Sequence, residues 1–591
     1  MGSLTVVLSF AGPADPAAVD RAAAASPHRG TERTGGRLGD NLLLGSTDDP
    51  DVPDATLAVE EGLAASFTGP LDNAEELATQ LGLRNDSSNA RIYLEAHRRW
   101  GDDAPRRMRG PFAGVVTDGR AVWCSRDPFG LKPLFFRRET QGVIVATEAR
   151  QVLAGWNRAA EPDLDVVERI VFREYDDETP SALAGVERVP RGTTVRIDVS
   201  GAARHRFWDP RALLETARLT DDEIHERFQE LMAQAARRAM QGDDVVSLSG
   251  GVDSSAVAAY AAPEHLARAG RPLAALSVVY PNLPEVDERG YIERTASFLG
   301  LELHTYEESS KTLDKVDEWM AVLDSPLPQF FLPESAEHYR KARSLGFRTM
   351  LTGELAEWII ERRQYLISHL LLQRRFGPLW AHLARQRRVH GVGPRGFARQ
   401  LGVAFMSPRI ERAWTAVRPA SVRVPDWIDE GRFRRVEARY ATPARERWAG
   451  FQVAIFKGPD LAAEAEDAVQ AVTGVRARRP FGDLDLVEFF LSLPAEQKFP
   501  DTHFKGLLRG LVRGRVPDMI LDTPSKAVFN DAVMARADIG QLRRLLIDPP
   551  YHIPGIRYDV LAGRLEAGDL EIAEYEYAKN LAATHAFLAR W

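Results

Sequence analysis

The stretch VVSLSGGVDSSAVAAY, Val245 to Tyr260, decides the fold of the second part of this chain. An apolar run breaks into Ser249-Gly250-Gly251-Val252-Asp253-Ser254-Ser255 and then resumes as small helix-forming residues, so a buried strand, a tight turn and a helix are expected in that order. A turn with so little side chain lets backbone approach an anion closely, while the N–H groups of the following helix point at it, which favours phosphate. The turn is not a Walker loop, which needs a lysine, and it lacks the G-x-G-x-x-G of dinucleotide sites. Asp253 adds a constraint, because a carboxylate among phosphate-binding amides is unfavourable unless a cation such as Mg2+ bridges it.

Ahead of this stretch, Ile224, Phe228, Leu231, Met232 and Ala235 recur at helical spacings behind a Thr220 cap. The order is then strand VVSLS, helix SAVAAYAAPEHLARAG, strand LAALSVVY, helix ERGYIERTASFLG, strand LELHTY and strand FRTMLTG. This alternation predicts a parallel sheet covered on both faces, with ligands bound where strands end and helices begin. The remainder, from Glu357 to Trp591, reads as largely helical and arginine-rich.

Upstream the pattern differs. LTVVLSF, DNLLLGS, GPFAGVVTDG, AVWCSRD, LFFRR, GVIVATE and TTVRIDVS are short β-type runs punctuated by turn residues, with helical stretches near residues 72–83 and 91–100. A mainly antiparallel domain over residues 1–210 and an α/β domain over 211–591 are expected, with the boundary between Ser200 and Thr220. A length of 591 residues, 44% apolar and 27% charged residues, and a net charge of -8 fit a multidomain globular protein without a basic field for nucleic acid. The single cysteine, Cys124, excludes an intrachain disulfide framework and any multi-thiolate metal site, as in a reducing cytoplasm. No membrane span or basic targeting segment is visible, so a cytoplasmic location is expected.

SGGVDSS resembles the pyrophosphate loop of the ATP pyrophosphatases, which split ATP into AMP and pyrophosphate. DER at Asp287–Arg289, PFGDLDLVEFFLSLP at Pro480–Pro494, FKGLLRGLVRGRVP at Phe504–Pro517 and SKAVF at Ser525–Phe529 narrow the resemblance to the asparagine synthetase family. The first domain is similar to the glutaminase domain of that family, an Ntn-type α+β sheet fold, through HRG at His28–Gly30, FTGPLDNAEELATQLG at Phe67–Gly82, MRGPFAGVV at Met108–Val116 and RDPFGLKPLFF at Arg126–Phe136. The family's chemistry there uses an N-terminal cysteine nucleophile and an Asn oxyanion donor. Here Gly2 stands near the N-terminus, the first hundred residues hold no cysteine, and the donor segment reads Thr68-Gly69-Pro70-Leu71-Asp72-Asn73. Ammonia production is therefore not expected, and Cys124 reads as a buried small hydrophobe.

The resemblance implies roles for individual residues. Ser249, Gly250, Gly251, Asp253, Ser254 and Ser255 would hold pyrophosphate, with Leu248, Ser277, Val278 and Gly353 around the rest of ATP. Asp253 and Glu357 would bind Mg2+. Lys526 in SKAVF would stabilise negative charge during adenylation and amide formation, and Glu354 would orient or deprotonate the attacking amine. Two departures stand out: the family's acidic loop reads Leu355-Ala356-Glu357 after Glu354, and its arginine before the catalytic lysine is Thr523.

Among relatives without a working glutaminase, FWDP at Phe207–Pro210, VVYPNLPEVDERGYI at Val278–Ile292 and TGELAEWII at Thr352–Ile360 look most like lasso peptide cyclases. That likeness implies a core peptide, freed of its leader, as substrate, with a leader peptidase and a leader-binding protein as partners. The basic stretch after Arg362 would then line a cavity for the peptide. The alternatives are an asparagine synthetase using free ammonia, a β-lactam-synthetase-like small-molecule enzyme, and a non-catalytic scaffold that retains the fold.

Overall fold

The computed structural model describes residues 1–591 except 52, 175–176, 405–406, 408, 411–412, 414–423, 433–443, 459, 501–502, 523–528 and 569. Among the described residues twelve strands build the first domain: β1 (Ser3–Ser9), β2 (Glu32–Arg37), β3 (Leu42–Asp48), β4 (Ala55–Glu60), β5 (Leu63–Thr68), β6 (Ala113–Thr117), β7 (Val122–Arg126), β8 (Phe135–Glu139), β9 (Gly142–Ala146), β10 (Glu187–Arg188), β11 (Thr193–Asp198) and β12 (Gly201–Arg206). They form two antiparallel six-stranded sheets, ordered β10-β8-β9-β1-β3-β2 and β12-β11-β7-β6-β5-β4. Alternating side chains such as Leu4, Val6 and Leu8 meet Val115, Cys124 and Val195 between the sheets, as the two-residue period of a strand requires. Helices Ala18–Ala25 and Ala149–Gly155 cover one outer face, and Asn89–Trp100 covers the other.

The second domain opens with helix Asp221–Ala239, whose Thr220 and Glu223 form a reciprocal capping box. Its sheet consists of β13 (Asp244–Ser247), β14 (Ala274–Val279), β15 (Glu302–Glu307), β16 (Thr349–Leu351) and β17 (Arg476–Arg478). All neighbours pair parallel, in the order β15-β14-β13-β16-β17. Val246, Ala275 and Leu351 face a core with helices Asp221–Ala239 and Val252–Ala269. Val245, Leu276 and Met350 face the opposite core, with helices Leu332–Ser344, Leu461–Thr473 and Ile572–Arg590. Both faces are thus covered, and the expected fold classes of the two domains are borne out.

A buried chain of charges joins the domains. Glu148 accepts from Arg29, and Arg29 pairs with Asp467 of the second domain. Asp467 also accepts from Lys132 at 3.0 Å, Lys132 reaches Asp54 at 2.5 Å, and Asp54 lies 3.3 Å from Arg476 on β17. Arg188 and Arg126 similarly hold Glu464. Each buried ion has partners of opposite sign, the condition under which such groups are tolerated away from water.

Candidate active site

β13 ends at Ser247 and the following helix starts at Val252, so Leu248–Gly251 form the turn at the carboxyl end of the sheet. The Ser249 N–H donates to Ser254 Oγ at 3.1 Å, and the two hydroxyl oxygens lie 2.9 Å apart. Ser255 Oγ donates to Gly251 O at 2.8 Å, and Ser277 Oγ on β14 donates to Leu248 O at 2.7 Å. Those two hydroxyls are buried and brace the backbone of the turn. The Gly250 N–H donates to Glu288 Oε2 at 3.0 Å, and a Cβ on Gly250 would stand 2.9 Å from Glu288. At Gly353 a Cβ would lie 2.7 Å from Ser254 N. Glycine at both positions follows from close approach rather than from the sign of φ.

Ser249, Asp253, Ser254, Gly353, Glu354 and Glu357 line one cavity of about 790 Å³. Leu131 and Arg191 contribute to its wall from the first domain, and Arg362, Lys457, Glu466 and Arg479 from the second. Leu248 in the turn and Ser277 beside it on β14 are buried, and Val278 lies on β14 outside the lining. Lys526, together with Thr523, lies outside the described residues.

One cation at this site was not singled out from the sequence. Lys505, with a buried side chain, donates to Asp253 Oδ2 and lies 3.8 Å from Glu357 Oε2. The two carboxylates suggested for Mg2+ therefore converge on one positive charge despite the longer reach of Glu357. Among the described residues no group of three or more metal-ligating side chains exists. Two carboxylates completed by substrate phosphates are nevertheless the usual way Mg2+ is held, so the donor set fits. The signal for Lys505 was its place in FKGLLRG among few lysines.

Glu354 is half-exposed and pairs with Arg479 at 2.5 Å. Arg479 in turn lies 3.7 Å from buried Glu466, which accepts a hydrogen bond from Tyr339. His338 bridges Tyr306 OH and Ser247 Oγ, each at 2.9 Å, and burial pushes its pKa down to about 4. The imidazole is therefore neutral at physiological pH. Arginine and histidine at these places carry no sequence pattern of their own, because their partners come from four separate segments.

In the first domain, a Cβ on Gly2 would stand 2.7 Å from Ala55 Cβ and 2.8 Å from Asp48 Oδ1, and closer still to the Thr47 carbonyl oxygen. Cys124 is fully buried, and burial raises its thiol pKa. Gly69, Asp72 and Asn73 line a separate cavity of about 750 Å³ with Arg237, Arg238 and Arg476 of the second domain. Among the described residues of the basic stretch 362–400, Arg362 alone lines the 790 Å³ cavity; Leu366, Ile367, Leu370 and Leu379 pack with Trp448 and Phe499 in a satellite core. Among the described residues no helix is long and apolar enough to cross a membrane.

The chain is 24% identical over 478 residues to "Asparagine synthetase [glutamine-hydrolyzing] 3" of Bacillus subtilis, covering 77% of this chain and 73% of that protein. It is 31% identical over 202 residues to "Carboxyethyl-arginine beta-lactam-synthase" of Streptomyces clavuligerus, 33% of this chain and 37% of the other. "Amidase chry2" of Gibberella zeae is 25% identical over 316 residues, 50% of this chain and 46% of the other. Residues 2–208 match a glutamine amidotransferase domain. With residues 227–549 matching asparagine synthase, more than half of its length, and with the glycine turn set at the carboxyl end of a parallel sheet, the chain belongs to the asparagine synthase family.

Proposed function

We propose that this protein is an ATP-dependent amide ligase that closes a macrolactam in a peptide, joining its N-terminal amine to an Asp or Glu side chain. The observation that carries the choice of amine is the closed space at Gly2, where a side chain would meet Thr47, Asp48 and Ala55. A thiol nucleophile has no room there, so an amine taken from glutamine is disfavoured and an amine on the substrate itself is favoured. The 790 Å³ cavity lies within the range of roughly 300–1,000 Å³ of small-molecule sites, room for a nucleotide and the acyl end of a substrate.

In this reading the substrate carboxylate attacks the α-phosphorus of ATP and pyrophosphate leaves. The amine nitrogen then attacks the activated carbonyl, AMP leaves, and the nitrogen gives up its proton. Ser249 and the first amides of helix Val252–Ala269 hold phosphate oxygens, and Lys505 offsets their charge. Asp253 and Glu357 would hold Mg2+, which neutralises charge on the departing pyrophosphate. Glu354, oriented by Arg479, takes the proton from the amine, and Lys526 stabilises the developing oxyanion. Enclosing both reacting groups makes the second step effectively unimolecular.

A second reading, a small-molecule amide synthetase acting on an amino-acid derivative, is favoured by the 202-residue likeness to the β-lactam synthase. The two are separated by mass spectrometry of the purified protein with ATP, Mg2+ and a linear peptide carrying an internal Asp or Glu. AMP and a product lighter by one water support the cyclase. AMP formed only with amino-acid derivatives, or free asparagine formed from aspartate and ammonia, sinks it.

A further inference from the structure

Arg362 is a buried cation in the cavity wall without an acidic partner among the described residues. Its residue is 6% exposed, and its Nε donates to the Phe451 carbonyl at 2.6 Å. The guanidinium lies 4.1 Å from the Phe451 ring centroid and 5.8 Å from that of Trp358. No carboxylate pairs with it among the described residues, and burial lowers its pKa to about 10. Lys498, a buried base tied to Arg362 through Gln452, which donates to the Arg362 carbonyl and accepts from Lys498, brings no negative charge. An aromatic face and one carbonyl compensate a buried guanidinium only in part. By contrast Arg479 and Arg191 in the same wall have acidic groups within 4.0 Å, and Lys457 there is exposed to water.

Resting on the ligase reading, we propose that Arg362 is a substrate-binding residue which holds a second carboxylate of the acyl substrate, one that the reaction does not consume. The planar fork of arginine matches a carboxylate with two parallel hydrogen bonds. The reacting carboxylate is the poorer partner. Its charge disappears on activation, so a guanidinium on it would favour the ground state over the adenylate, whereas a spectator carboxylate keeps its charge throughout. Phosphate is the poorer partner as well, because Lys505 already stands beside Asp253 at the turn, while Arg362 shares its wall with Trp358, Ala454 and Ile455. The substrate is thereby specified as carrying at least two carboxylates, such as an acidic peptide with a free C-terminus or a second acidic side chain.

The test compares the full-length protein with its Arg362→Met and Arg362→Lys variants, using succinate and butyrate as probes at equal ionic strength and ATP as control. Thermal unfolding should show Arg362→Met melting above the wild type without ligand, since an uncompensated buried charge is removed while Phe451 keeps a packed neighbour. Succinate should stabilise the wild type more than butyrate, and its apparent affinity should fall about tenfold or more in Arg362→Met, with ATP stabilisation unchanged. Arg362→Lys keeps the charge without the fork and should retain folding but lose most of the preference for succinate. A lower melting temperature for Arg362→Met together with an intact succinate response, an equal succinate response in wild type and Met variant including none in either, or a loss confined to ATP would each overturn the assignment. AMP release with peptide is scored separately: its absence counts against the ligase and leaves the carboxylate site standing, whereas its presence with an unchanged succinate response does the reverse.

Discussion

Gly353 lies against the first turn of the helix that follows the glycine turn, so close that a Cβ on it would stand 2.7 Å from the amide nitrogen of Ser254 and 2.8 Å from the carbonyl carbon of Asp253. Backbone, not a yielding side chain, meets the added atom. Gly353→Ala is therefore expected to displace the turn and Asp253 while leaving both sheets intact. Misplacement by about 1 Å at a reacting centre costs on the order of 100-fold. AMP release should fall by about that factor, with an unchanged far-ultraviolet circular dichroism spectrum as the control.

Lys505 neutralises Asp253 and reaches toward Glu357. Lys505→Met removes the charge but keeps much of the packing, leaving two carboxylates to repel each other and attract a divalent cation. Mn2+ measured by paramagnetic resonance without ATP is expected to bind more tightly to the variant than to the wild type. Ligase turnover should drop by about 100-fold or more, the scale of losing one preorganised charge at a developing anion. Unchanged turnover with unchanged Mn2+ binding would show that Lys505 is only a structural cation.

The turn itself was legible because Gly250, Gly251 and Ser254 act locally: strand, turn and helix are all written within sixteen residues, and the alternation of β13 to β16 with helices sets the parallel sheet. β17 was not legible. Its sequence Arg476-Ala477-Arg478 falls in the stretch read as largely helical, and it is buried as a strand with Asp54 and Asp72 of the first domain neutralising the two arginines. The same reason hid Lys505, whose partner Asp253 lies 252 residues away in sequence. Local pattern marks local structure, whereas a charge pair between segments distant in sequence leaves no periodic trace. Edge strand β2, Glu32-Arg33-Thr34-Gly35-Gly36-Arg37, was missed for a different cause: it is largely exposed, so no buried face imposes an alternation.

Asp467 holds the two domains together by accepting from Arg29 and, at 3.0 Å, from Lys132. All three side chains are almost completely inaccessible. Asp467→Asn leaves two cations facing a neutral amide, and breaking a buried ion pair in this way costs about 3–5 kcal/mol. Urea unfolding should move to lower concentration, and early exposure of the first domain should appear as faster hydrogen exchange in β3 and β4. Asp467→Glu, which keeps the charge, should lose less.

Lys498 supplies the pH dependence. Burial, with Arg362 adding to it, pushes its pKa down to about 7 from an ordinary 10.5, and its ammonium has Gln452 as a hydrogen-bond partner at 2.9 Å. Between pH 7 and 10.5 the unfolded chain binds this proton and the folded protein does not, so the contribution of this group to stability rises with pH across that window. It is fully present above 10.5 and is lost progressively as the pH falls to and through 7, where the folded protein must bury the charge. Lys498→Met removes that penalty. The variant should exceed the wild type in stability by most at pH 6, and the gap should narrow steadily through pH 8 and 9.5 in urea titrations run side by side. A gap that stays constant over that range would mean that Lys498 remains protonated when folded.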